Sequence, residues 1–105
     1  MALEIKIDFN DNGNRWIVKL EGEVDIYTSP KLKEMLLDML EEKKADILLD
    51  CEKLEYVDSM GLGALISILK RIRDYEGKIY MENVKPNIRK LFSITELDKV
   101  FIIEE

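Results

Sequence analysis

A chain of 105 residues with 47% hydrophobic and 36% charged residues has the make-up of one globular domain, residues 1–105, with a modest core. Its formal net charge of -6 argues against a nucleic-acid binder or a protein of anionic membranes, both of which need a basic surface. Histidine is absent, which removes Ser-His-Asp and Cys-His catalysis and imidazole metal ligation, and the one cysteine, Cys51, has no partner for an internal disulfide.

Leu3, Ile5, Ile7 and Phe9 alternate with Glu4, Lys6 and Asp8, the period of a strand with one apolar face. Asn10-Asp11-Asn12-Gly13-Asn14 is a turn signal, and Trp16, Val18 and Leu20 resume the alternation, so the two strands are expected to form an antiparallel hairpin. Trp16 is expected to be a core or sheet-face residue. Gly22 to Tyr27 breaks the pattern and reads as a connection. Thr28-Ser29-Pro30 opens a helix, with Ser29 as its cap and Pro30 at the first turn. Leu32, Met35, Leu36, Met39 and Leu40 form its apolar face, and Lys43-Lys44 suit its C-terminal end.

Residues 45–50 carry the apolar run Ile47-Leu48-Leu49, which predicts a strand buried on both faces by helices. Cys51 at its end reads as a small buried hydrophobe. A short polar connection leads to Asp58-Ser59 at the mouth of a second helix, whose face is Leu62, Leu65, Ile66, Leu69 and Ile72, with Gly77 ending it. Residues 78–82 read as a strand, 86–93 as a short helix and 100–103 as a last strand. The order β-β-α-β-α-β-α-β predicts an α/β fold: a mixed sheet with helices packed on it.

The junction at Ser59 carries the functional reading. A helix N-terminus presents unpaired N–H groups and the positive end of the helix dipole, which suit a phosphate. Gly61 and Gly63 leave room for close approach of another molecule. Ser is equally an ordinary helix cap, so the motif alone leaves both readings open.

Three segments together resemble the anti-sigma factor antagonist family, the single-domain members of the STAS fold. Gly22-Glu23-Val24-Asp25 with Thr28-Ser29-Pro30 looks like the family's loop into its first helix. Ile47 to Asp50, continuing into Val57-Asp58-Ser59-Met60-Gly61-Leu62-Gly63, is similar to its most specific motif. Asn83-Val84-Lys85-Pro86, continuing into Arg89-Lys90-Leu91-Phe92, looks like its C-terminal segment. The resemblance implies a non-enzymatic partner switch in bacteria. Such a protein binds an anti-sigma factor that is itself a serine kinase and thereby releases sigma factor. The kinase phosphorylates the motif serine and a serine phosphatase restores it. Carried over, Ser59 is the phosphoacceptor, and Asp25, Thr28, Ser29, Asp58, Met60, Gly61 and Gly63 form the partner-binding surface. Met60 stands where the family often has a second hydroxyl, which leaves Ser59 as the sole acceptor in the loop. No cofactor or metal is implied. A non-phosphorylated STAS scaffold or lipid-transport subunit is the alternative, and an enzyme using Asp25, Asp58 and Ser59 is a further rival. No apolar run is long enough to span a bilayer and no signal-peptide pattern is visible, so a cytoplasmic monomer is expected.

Overall fold

In the computed structural model, which describes residues 2–104, five strands form one sheet in the order β1-β2-β3-β4-β5. β1 is Leu3–Asn10, β2 Arg15–Val24, β3 Asp46–Val57, β4 Ile79–Glu82 and β5 Ile102–Ile103; the helices are α1 Ser29–Glu42, α2 Ser59–Arg73 and α3 Pro86–Ile94. β1 and β2 are an antiparallel hairpin, and each later strand lies parallel to its neighbour. This is the predicted order of elements. Each helix connects two adjacent parallel strands, and the strand order never reverses. With every crossover right-handed, that topology puts all three helices on one face of the sheet.

The expectation that helices bury both faces of β3 is therefore corrected. Ile47 and Leu49 point into the single core with Leu32, Leu36, Leu65, Ile68, Ile88 and Phe92. Leu48 is also buried but lies outside that core. Its register neighbours Ile17 and Tyr80 cover it within the open face of the sheet.

Two strands run further than the apolar pattern suggested. β2 continues through Gly22, Glu23 and Val24, and β3 continues from Asp50 to Val57. The register between them shifts twice, each time with an extra residue on β3. Such bulges break the two-residue alternation. Cys51, Leu54 and Val57 are the buried residues of this half, spaced by three. Gly22 sits at φ +120, and a Cβ there would lie 2.1 Å from the Ala2 carbonyl oxygen, so only glycine fits.

The helix ends also differ from expectation. Ser29 does not cap α1: it is buried within the first turn, and Thr28 precedes the helix. α2 stops at Arg73, and the left-handed residue that terminates it is Glu76, at φ 61, not Gly77. Gly77 N donates to Ile72 O at 2.9 Å and Glu76 N to Arg73 O at 3.1 Å, the paired bonds of a Schellman ending. After α3, Glu96 at φ 60 takes the same role. Residues 97–99 form a 3-10 turn, so the last strand shortens to two residues while Phe101 fills the core. Trp16 is buried, and its indole N–H donates to Lys43 O at 2.9 Å, satisfying a carbonyl at the end of α1.

Candidate functional site

Val24 and Val57 end adjacent parallel strands, so the β2–α1 loop and the start of α2 meet at one end of the sheet. Asp58 N donates to Val24 O at 3.1 Å and closes the corner. The Asp58 side chain then joins the two segments: Oδ1 accepts from Gly61 N at 2.8 Å, and Oδ2 accepts from Ile26 N at 3.1 Å. Asp58, and not Ser59, is thus the N-cap of α2. Gly61 packs against β2, where a Cβ would lie 2.3 Å from Val24 O.

Asp25 organises the loop from within. It is buried, and its Oδ1 accepts from Tyr27 N at 2.9 Å and Thr28 N at 3.0 Å. Thr28 Oγ1 donates to Glu23 O at 2.8 Å and accepts from Asp25 N at 2.9 Å. Ser29 N donates to Asp25 O at 2.8 Å. The carboxylates of Asp25 and Asp58 are therefore committed to backbone amides, and neither is bonded to Ser59. Among the described residues, no base is hydrogen-bonded to the serine hydroxyl. Among the described residues, no group of three His, Cys, Asp or Glu side chains is arranged to hold a metal ion.

Relieved of capping, Ser59 is exposed in the first turn of α2, and its hydroxyl has no partner among the described residues. It lines a shallow groove between α1 and α2 together with Ser29, Pro30, Lys33, Met60, Gly63, Ala64 and Ser67. Gly63 has nothing within 4 Å of a built Cβ, so it keeps the groove open and is not a packing glycine. The structure thus brings all eight sequence-predicted residues to one end of the sheet but divides them. Ser59, Met60 and Gly63 face outward; Asp25, Thr28, Asp58 and Gly61 build the frame; buried Ser29 contributes only to the groove wall.

A model of the STAS domain matches residues 6–105. The anti-sigma-B factor antagonist of Staphylococcus aureus (strain NCTC 8325 / PS 47) is 32% identical over 103 residues, spanning 98% of this chain and 95% of that protein. The anti-sigma-B factor antagonist of Bacillus subtilis (strain 168) is 33% identical over 101 residues, spanning 96% and 92%. The chain belongs to the anti-sigma factor antagonist family of STAS domains. The solved Bacillus anti-sigma factor antagonist SpoIIAA has the same fold in two forms. The unphosphorylated form aligns with a TM-score of 0.74 at 17% identity, covering 99% of this chain and 88% of that one. The phosphorylated form aligns with a TM-score of 0.72 at 18% identity, covering 99% and 92%.

This STAS domain shows one feature at the site that sequence reasoning caught only at Met60. Four large apolar side chains stand exposed at the Ser59 end: Ile26 at 54%, Tyr27 at 82%, Tyr56 at 48% and Met60 at 53%. Ile26 is held against Asp58, Tyr27 follows it, Tyr56 pairs with Glu23 in register, and Met60 follows Ser59. Met60 also lines the groove, and exposed apolar side chains on segments that meet beside a largely apolar groove have the make-up of a docking surface. The available signal was Ile26-Tyr27, apolar residues in a segment that reads as a loop.

Proposed function

We propose that this STAS domain binds an anti-sigma factor serine kinase and so frees a sigma factor, that the kinase ends the interaction by phosphorylating Ser59, and that a serine phosphatase reverses the modification. The setting is the bacterial cytoplasm and the protein acts as a monomer, without catalysis of its own. The observation that carries this reading is the Ser59 hydroxyl, exposed and without a partner among the described residues, at the end of the sheet that also exposes Ile26, Tyr27, Tyr56 and Met60.

A phosphate on Ser59 adds about -1.5 to -2 charges and three acceptor oxygens. A partner that docks by covering Ile26, Tyr27, Tyr56 and Met60 must strip water from that dianion. A loss of about 3 kcal/mol weakens binding by roughly two orders of magnitude, enough for a switch.

The test has two steps. A pull-down identifies the kinase, and phosphosite mapping after incubation with ATP should find Ser59 alone. Titration calorimetry should then give wild-type affinity for Ser59→Ala and at least tenfold weaker binding for Ser59→Asp, a loss of about 1.4 kcal/mol or more. Equal kinase affinity of unmodified and phosphorylated protein would falsify the proposal.

A further inference from the structure

Beyond Asp50, β3 has a strand on only one side. β2 follows it to the pair Val24↔Val57, but β4 pairs with it only from Ile47↔Ile79 to Asp50↔Glu82. The outer half of β3, residues 52–57, leads directly to Asp58 and Ser59. On its open flank, side chains from the connection between β4 and α3 and from the first turn of α3 supply hydrogen bonds in place of a strand. Lys85 Nζ donates to Glu52 O and lies 3.9 Å from the Glu55 carboxylate. Asn87 Nδ2 donates to Glu55 O at 3.2 Å. Asn83 Nδ2 donates to Asp50 Oδ1 at 3.2 Å, and that oxygen also accepts from Glu52 N at 3.1 Å.

The accepting carbonyls, Glu52 and Glu55, are three residues apart, the same spacing as buried Cys51, Leu54 and Val57. The bulged strand therefore turns a side chain to the core and a carbonyl to the α3 side at the same interval. The donors have a firm mount. Lys85 O accepts from Ile88 N at 3.0 Å and Arg89 N at 2.9 Å, and Ile88 and Phe92 anchor α3 in the core. With β2 on one side only and two bulges in that pairing, residues 52–57 have fewer backbone bonds than a central strand. Two side-chain donors at fixed positions supply bonds on the open side.

We infer that Lys85 and Asn87 are positioning residues for Ser59: their side chains replace the missing strand beside residues 52–57 and fix the segment that presents the serine hydroxyl. The inference rests on the reading of Ser59 as the modified residue. It assigns a task to the Asn83-Val84-Lys85-Pro86 segment, which has no contact with the groove.

Lys85→Met keeps the stem and removes the donors; Asn87→Asp keeps the shape and replaces the donor with an acceptor. Amide hydrogen exchange on the full chain should speed up about tenfold at residues 54–60 in either variant, the order expected for one lost hydrogen bond to a charged or amide donor. The Ile47 and Leu49 amides should exchange at the wild-type rate. With the kinase, Lys85→Met should lower the rate of Ser59 phosphorylation, and Lys85→Arg, which retains a long cationic donor, should recover it. Unchanged exchange at residues 54–60, or acceleration spread evenly over β3, overturns the inference. So does phosphorylation of Lys85→Met at the wild-type rate. If wild-type Ser59 is never modified, the switch reading fails by itself; the exchange data then still decide whether Lys85 and Asn87 hold the segment.

Discussion

Replacing Asp58 with Ala removes both hydrogen bonds that tie the β2–α1 loop to α2. The bond to Gly61 N, at 2.8 Å, is a helix cap, and losing such a cap costs about 1 kcal/mol. The bond to Ile26 N, at 3.1 Å, is charge-assisted and long-range; it adds about 1 kcal/mol, discounted because the site is only half-buried. The sum is about 2 kcal/mol, or roughly 8–12 °C in Tm for a domain of this size. Asp58→Asn retains one acceptor oxygen, which can cap Gly61 but not also serve Ile26, so it should lose about half as much. Urea denaturation followed by far-UV circular dichroism measures both. Exchange at the Ile26 amide should accelerate in both variants and that at Gly61 only in Asp58→Ala. A loss below ~0.5 kcal/mol for Asp58→Ala would refute the assignment of Asp58 as the clasp, because neither bond could then contribute as the geometry requires.

The two glycines of the motif should respond in opposite directions. Gly61→Ala forces a Cβ to 2.3 Å from Val24 O and should destabilise by about 1–3 kcal/mol, whereas Gly63→Ala meets nothing within 4 Å and should stabilise α2 by up to about 1 kcal/mol while narrowing the groove. Denaturation midpoints that shift the same way would contradict this. Burial pushes the Cys51 thiol up to about 12, so the folded protein should resist alkylation at pH 8 and react only as it unfolds. The sign of its pH linkage follows from the thiol keeping its proton in the fold. Stability from this group is complete below the unfolded thiol pKa of about 8.5, and is lost as pH rises toward 12. Cys51→Ala should flatten that alkaline decline in a pH series of urea melts; an unchanged slope would count against the burial argument.

Where alternation was regular, the sequence was readable. Leu3 to Phe9 and Trp16 to Leu20 gave the hairpin, and Leu65, Leu69 and Ile72 gave the buried face of α2. The outer half of β3 was not readable, because its bulges space Cys51, Leu54 and Val57 by three, a period that belongs to no flat strand. Leu48 is buried as expected, but its cover was misjudged for another reason. Whether a second face is covered depends on the sense of every crossover, which no local window contains. At the site, the motif placed Ser59 correctly at the start of α2, but the division of labour lay in side-chain direction. Asp58 and Ser59 are adjacent and both are good cap residues. The bond from Ile26 N, 32 residues distant in sequence, accompanies the choice of Asp58 as the clasp.

That choice determines where a phosphate could act. Had Ser59 been the cap, modifying it would have removed a bond that α2 needs, and the fold would have carried the signal. With Asp58 as the cap, the serine oxygen is structurally idle. A phosphate there meets two opposed effects in this molecule. For a separation of about 5 Å in water, repulsion from the Asp58 carboxylate is roughly 0.8 kcal/mol per unit charge, or about 1.2–1.6 kcal/mol for the phosphate, and physiological salt about halves it. Attraction to the N-terminus of α2 is about 0.3–1 kcal/mol. They nearly cancel, so a chain phosphorylated at Ser59 should keep the unmodified fold. On the proposed reading, no such cancellation would operate across the interface, because a partner that covers the exposed apolar side chains would strip water from the phosphate. For the proposed switch, that energetic asymmetry between a tolerant helix end and an intolerant apolar rim would make a small surface hydroxyl sufficient, without any moving part in the domain.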